Sequence, residues 1–491
     1  MSRRRAAAIA LPAGAATVGA FAPFGAYPLA LLGFAALIHL WIEAPRPADA
    51  FRTGLWFGLG MFGCGVSWVY VSLHRFGAMP APLAGIATLA FCAILALYPA
   101  LAGWLQARIK VPDAMRAVFV IPASWTLLEW LRGWLLTGFP WLSAGYAGLD
   151  TPLAGLAPLG GVYAMSLATL VCSGLLWCAA SGRARWRAVA AFCALLAAGW
   201  ALRQIAWTAP VGAPFRAALL QGDIPQDLKF DPQRYANTLE AYARLADGSD
   251  ARLIVLPETA LPRFLDSVDP AYLKRLSDTA RRNGGDLLLG VPTRAAPGEY
   301  YNSVVSLGTS PPQIYNKVHL VPFGEFVPPG FGWIVHILSI PLADFSRGAP
   351  DQPPLEVAGQ RVAVDICYED AYGAAIARAL PVATLLVNVS NVAWFGDSLA
   401  PAQHLEIARL RALETGRMML AATNTGITAA IDRDGRVLAR LPEFVVGRLD
   451  VQAQGYAGAT PYSRVGDWPA LAAALGLLAL AGFVARAKRS R

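Results

Sequence analysis

The 491-residue chain is 56% hydrophobic and only 15% charged, with a mean hydropathy of +0.45. Soluble globular chains carry about 25% charged residues, so this composition excludes an ordinary soluble domain and points to a polytopic membrane protein. The net charge of +9 sits in short basic clusters beside apolar segments and calls for no nucleic-acid partner.

Crossing the hydrocarbon core takes roughly 20 apolar residues. Eight segments approach or reach that length, at about 6–22, 26–43, 53–72, 83–106, 115–136, 160–180, 187–203 and 467–486. The first lacks a small-residue cleavage site behind it and reads as a retained anchor rather than a signal peptide. Three regions follow: a membrane domain of seven transmembrane helices over 1–203, an external domain over 204–465, and an eighth transmembrane helix with a basic tail over 466–491. Arginines collect at the start (Arg3, Arg4, Arg5) and on the second, fourth and sixth connections and the tail, whereas the first, third and fifth connections offer only Arg75. Basic residues mark the cytoplasmic side, so both termini are expected inside and residues 204–465 outside. In the fifth span, Glu129 and Arg132 stand one turn apart near the outer end, either a simple ion pair or a functional one.

Five of the six cysteines (Cys64, Cys92, Cys172, Cys178, Cys193) fall within expected spans, where a thiol acts as a small hydrophobe. Cys367 alone lies in the external domain. Oxidising compartments favour paired cysteines, so an odd one there is a candidate reactive thiol; a buried inert cysteine is the alternative.

The external domain alternates strand and helix patterns. FRAALLQGD, ARLIVLPET, GDLLLGVPT, NSVVSLG, RVAVDICYED and ATLLVNVSN predict strands. DPQRYANTLEAYARLA, DPAYLKRLSDTARRNG and APAQHLEIARLRALETGR predict amphipathic helices, the first two opening on Asp-Pro. This alternation predicts a layered α/β domain with its own core. The sequence carries no GxSxG elbow, phosphate loop, HExxH or paired-cysteine metal pattern. Three strand ends stand out: Glu258 in LPETALP, Lys317 and Glu325 in YNKVHLVPFGEFVP, and Cys367, Tyr368 and Glu369 in DICYED. The lysine is notable because only five of the 41 basic residues are Lys. A longer apolar run, 328–348, holds Trp333 and reads either as a core helix or as a lid dipping into the outer leaflet.

PETALP, YNKVHLVPFGEFVP and DICYED together resemble the glutamate, lysine and cysteine motifs of the nitrilase, or carbon–nitrogen hydrolase, superfamily. With eight membrane segments, EWLRGWLLTGFPW (129–141), NVSNVAWFGDS and QHLEIARLRALETGR, the chain resembles its membrane branch, the apolipoprotein N-acyltransferases. The resemblance implies a nitrilase-like αββα sandwich beside the transmembrane helices, with a triad of Glu258, Lys317 and Cys367 supported by Glu325, Tyr368 and Glu369. It implies a bacterial inner-membrane enzyme with a periplasmic catalytic domain, working as a monomer without cofactor or metal. Its partners would be a phospholipid acyl donor and a diacylglyceryl-apolipoprotein acceptor. Phe230 and Leu256 stand where the family commonly has tryptophan. Phe230, Trp333, Trp394 and Phe395 are the candidate lipid contacts.

The residue chemistry fits a two-step acyl transfer. A thiol with an ordinary pKa of about 8.5 needs a base; Glu258, with its pKa raised by burial, would serve, and His319 is the local rival. Lys317 would stay protonated and stabilise an oxyanion, with the N–H of Tyr368 as second donor. Glu325 would hold Lys317, and Glu369 would orient either the lysine or an amine acceptor. A thioester on Cys367 would store enough free energy to acylate an amine without ATP. A membrane-anchored amidase using water, a transporter and a lipoprotein-binding scaffold are the alternatives.

Overall fold

The computed structural model describes residues 2–182, 184–327 and 344–487. The chain forms two compact units: Met1–Tyr70 with Pro82–Ala206 and Val465–Arg491, and Val71–Ala81 with Trp207–Arg464.

Among the described residues the second unit contains twelve strands: β1 (Thr208–Gln221), β2 (Leu253–Val255), β3 (Asp286–Ala296), β4 (Glu299–Gly308), β5 (Ile314–Asn316), β6 (Leu355–Val357), β7 (Gln360–Ile366), β8 (Leu385–Ser390), β9 (Met419–Thr423), β10 (Ala429–Ile431), β11 (Val437–Arg440) and β12 (Gly447–Gly458). They form two six-stranded sheets, ordered β12-β1-β2-β3-β4-β5 and β11-β10-β9-β8-β7-β6. Within each sheet three central strands run parallel, β1-β2-β3 in one and β7-β8-β9 in the other. Alternation along the strands then builds the layers. Leu219, Val255 and Leu288 of one sheet meet Val362, Val364, Ile366 and Val387 of the other in a shared core. Ala218, Leu220, Ile254 and Leu287 face Tyr242, Ala246, Leu276 and Ala280 of the helices Tyr235–Asp247 and Pro270–Arg282. Ala363, Leu386 and Met419 face Ile376, Leu405, Ala408 and Ala412 of the helices Gly373–Ala377 and Ala400–Thr415. The result is an αββα sandwich. Its central strands are buried on both faces, which is why they read as near-continuous apolar runs.

All six expected strands form, as β1 to β4, β7 and β8, and all three expected helices form. Asp269 caps Pro270–Arg282 as its Asp-Pro predicts, its side chain accepting from Ala271 N at 2.8 Å. The other Asp-Pro differs: Asp231 accepts from Gln233 N at 2.9 Å in a separate turn, and the helix starts at Tyr235. A short Asx turn satisfies the same donors as a cap, so the motif cannot choose between them.

In the first unit, four helices among the described residues are long and apolar enough to cross a membrane: Ala81–Ala107, Pro152–Ala180, Arg185–Leu202 and Trp468–Ala487. Pro47–Gly65 with Val69–Phe76 would be a fifth, but the pair bends by 59°. The expected third span is thus broken, and from Val71 to Ala81 the chain belongs to the sandwich unit. Glu129 and Arg132 are both 3% exposed and 3.9 Å apart. Arg132 donates to the carbonyls of Phe139 and Trp141, and Glu129 accepts from Ala144 N, so the pair also ties down its exit loop. The apolar run with Trp333 lies outside the described residues over 328–343.

Candidate active site

Cys367 follows the last residue of β7 and opens a one-turn 3-10 helix, Cys367–Ala371. Its φ is +59°, a left-handed conformation that costs a non-glycine residue about 1 kcal/mol or more. The surroundings hold it there: its carbonyl accepts from Asn388 Nδ2 at 2.8 Å and from His404 Nε2 at 3.2 Å. The thiol is buried.

Two more strand ends supply the charges. Pro257 and Glu258 follow β2, and Lys317 follows β5, its backbone N–H donating to the carbonyl of Asn302 on β4 at 2.8 Å. Lys317 Nζ lies 3.0 Å from Glu258 Oε1 and 3.0 Å from Glu325 Oε1. Asn302 Nδ2 donates to the same two oxygens, at 2.7 Å each. The second oxygen of Glu258 accepts from Asn391 N at 2.9 Å, and that of Glu325 from Val321 N at 2.8 Å. Lys317 is 1% exposed. Two carboxylates can share one buried volume only because a cation and an amide lie between them.

These contacts set the charge states. Burial alone would lower the Lys317 pKa, but Glu258 and Glu325 outweigh it and hold the ammonium well above its ordinary value. Burial would raise Glu258, yet the charge and hydrogen bond of Lys317, with help from Lys229, leave it below its ordinary value. The expected raised carboxyl is therefore not found, because the cation that burial forces on Glu258 dominates burial itself. Burial, followed by the charge of Glu258, pushes the Cys367 thiol well up. The resting site combines a neutral thiol, an ionised Glu258 and a charged Lys317.

Glu325 and Glu369 have separate places. Glu325 touches the lysine. Glu369 instead accepts from Val318 N and His319 N at 2.7 and 2.9 Å, and from Ile366 N and the Tyr315 hydroxyl at 2.8 and 3.1 Å. It fastens the lysine segment to the cysteine strand, and burial raises its pKa to about 7. Tyr368 donates its hydroxyl to the carbonyl of Leu320 at 2.8 Å, with its ring 5.8 Å from Lys317 Nζ. His319 stacks on Tyr372 at 4.2 Å, and burial pushes its pKa down to about 4. The histidine that reaches the cysteine is His404, through a backbone atom.

Sequence reasoning passed over Asn302, read only as the start of a strand, and Lys229. Lys229 is 3% exposed and donates to the backbone carbonyl of Glu258 at 3.2 Å, and burial lowers its pKa to about 8. Its signal was the scarcity of lysine that singled out Lys317.

Residues 13–175 match the apolipoprotein N-acyltransferase N-terminal domain, and residues 216–462 match the carbon-nitrogen hydrolase domain. A protein of Nitrosomonas europaea named apolipoprotein N-acyltransferase is 50% identical, over 96% of each chain. Proteins of the same name from Ralstonia nicotianae and Methylococcus capsulatus are 46% and 45% identical, over 96% of this chain and 91% and 95% of theirs. The chain belongs to the apolipoprotein N-acyltransferase family.

In this member of the apolipoprotein N-acyltransferase family, the aromatic candidates occupy different settings. Phe230 is half-buried and ends the turn that carries Lys229. Trp394 is half-buried and packs edge-on against Phe76, centroids 5.9 Å apart, within the sandwich unit. Phe395 is half-buried beside it.

Proposed function

We propose that the chain N-acylates the N-terminal diacylglyceryl-cysteine of apolipoproteins, taking the acyl group from a membrane phospholipid through a thioester on Cys367. The observation that carries this reading is the buried Glu258–Lys317–Glu325 cluster whose charges act on a lone thiol at a left-handed strand end. In the first half-reaction Sγ of Cys367 attacks an ester carbonyl while Glu258 takes the thiol proton. The thiol pKa lies high and the carboxyl pKa low, so a free thiolate does not accumulate and the proton moves as the S–C bond forms. Lys317 and the N–H of Tyr368 face the developing oxyanion, and Glu325 holds Lys317 in place. The tetrahedral species collapses by expelling the alkoxide of the lysophospholipid, which takes a proton from Glu258. In the second half-reaction the α-amine of the apolipoprotein attacks the thioester, Glu258 accepts an amine proton and returns it to the departing thiolate, and an amide remains.

Eight transmembrane helices, both termini in the cytoplasm and a periplasmic sandwich complete the reading, with the protein acting as a monomer in the bacterial inner membrane. Both substrates are lipids, which is what a helix-anchored sandwich with aromatic edges at Phe230, Trp394 and Phe395 suits. The test is the intact mass of purified protein incubated with a defined phospholipid and no amine. One acyl chain mapping to Cys367 and removed by hydroxylamine is expected, and Cys367→Ala loses both the adduct and lipoprotein acylation. Free fatty acid released without an adduct would point instead to an amidase-like enzyme that uses water.

A further inference from the structure

Two buried residues beneath the nucleophile have no part in the steps above. Asp370 is fully buried and His404 is 5% exposed. His404 Nε2 lies 3.2 Å from Asp370 Oδ1 and 3.2 Å from the carbonyl oxygen of Cys367. A carbonyl can only accept, so Nε2 carries the proton. Asn388 Nδ2 donates to the same carbonyl at 2.8 Å, and its side chain also bonds Asp365. Two donors from β8 and from the helix Ala400–Thr415 thus converge on one backbone oxygen of a residue whose φ is +59°.

The peptide joining Cys367 to Tyr368 is planar and trans, so its C=O and N–H point in opposite directions. Pinning the oxygen on one side therefore fixes where the Tyr368 N–H points on the other. We propose that the Asp370–His404 pair, with Asn388, is a positioning device for the oxyanion site, holding the Cys367 carbonyl so that the Tyr368 N–H stays aimed at the reacting carbonyl. This rests on the reading of Cys367 as the nucleophile. Burial by itself would lower the imidazole pKa; Asp370 outweighs it and leaves His404 raised, which keeps the proton on the ring. Donation to the carbonyl also polarises the peptide, making the N–H on its far side a better donor.

The test separates addition to a carbonyl from simple thiol reactivity. The rate of Cys367 acylation by dioleoyl-phosphatidylethanolamine in detergent micelles is compared with the rate of its modification by methyl methanethiosulfonate, which forms no oxyanion. Losing an oxyanion donor costs roughly 10²–10³ in rate, and misaiming one by His404→Leu is expected to cost at least ~10-fold in acylation, with thiosulfonate modification within about twofold of wild type. His404→Gln, which keeps a donor near the Nε2 position, recovers most of the acylation rate. Asp370→Asn, nearly isosteric, gives a smaller loss of the same pattern and serves if His404→Leu does not fold. Parallel loss of both reactions, equal losses in the Gln and Leu variants, or unchanged acylation overturns the inference. A wild type that forms no acyl adduct and releases no fatty acid overturns the underlying reading of Cys367, and shows itself before any variant is made.

Discussion

Lys317 is the ammonium that bridges two carboxylates at once, and its removal is the severest single change at the site. Lys317→Met leaves Glu258 and Glu325 converging on Asn302 with no ammonium between them. Breaking a buried pair in this way costs about 3–5 kcal/mol. A large fall in the unfolding temperature in detergent is expected together with loss of acyl transfer, and Lys317→Arg should not restore activity because a planar guanidinium does not reproduce the compact ammonium held 3.0 Å from both oxygens. Glu369 makes a different prediction. Its folded pKa, about 7, lies above its ordinary 4.5, so its stabilising contribution is full below 4.5 and is lost as pH rises through 7. Thermal unfolding of wild type and Glu369→Gln between pH 5 and pH 8 should show the wild type losing up to about 3 kcal/mol relative to the variant by pH 7, then running parallel to it. At this scale the strand-end residues were legible because a charge at the end of an apolar run is conspicuous. Asn302 was not, since an asparagine at a strand start is ordinary and its meaning comes from two carboxylates placed by other strands.

Elements set the distances between these groups. On β3, a Cβ added at Gly290 would lie 2.2 Å from the carbonyl oxygen of Pro257 and 2.8 Å from the Cα of Glu258. Gly290→Ala must therefore move the strand end that carries Glu258, and a 1 Å displacement in such a site costs about 10²-fold. The expected result is a comparable fall in the acylation rate of Cys367, with the secondary structure by circular dichroism unchanged. Periodicity located six strands and three helices correctly because burial on a strand or helix face repeats at a fixed interval. It missed β5, β6 and β9 to β12; of these β5, β6 and β10, three residues each, are too brief to repeat. It also placed a helix start on Asp231, where a turn closes instead. The break between Gly65 and Val69 went unseen too, for hydropathy is blind to direction.

For the whole molecule, the proposed topology is open to labelling. Asp434→Cys, on an exposed turn of the sandwich, should react with a membrane-impermeant maleimide in intact spheroplasts. Lys110→Cys, exposed on the fourth connection, should react only after lysis; labelling of both in intact cells would exclude the orientation. Composition and motif order by themselves determined that this is a membrane-embedded chain with an α/β domain, that the domain carries one thiol, and which glutamate and lysine are proposed to act with it. Those are properties of local stretches: apolar length, alternation, and a charged residue ending a strand. The tertiary structure alone decided that Glu258 is ionised rather than raised, that Glu325 touches Lys317 while Glu369 fastens the backbone, and that His404 serves a carbonyl instead of a thiol. Each of these depends on groups brought together by strand order and sheet packing, where Coulomb forces and burial compete over a few ångströms, and neither the distances nor the winner is encoded in any local pattern.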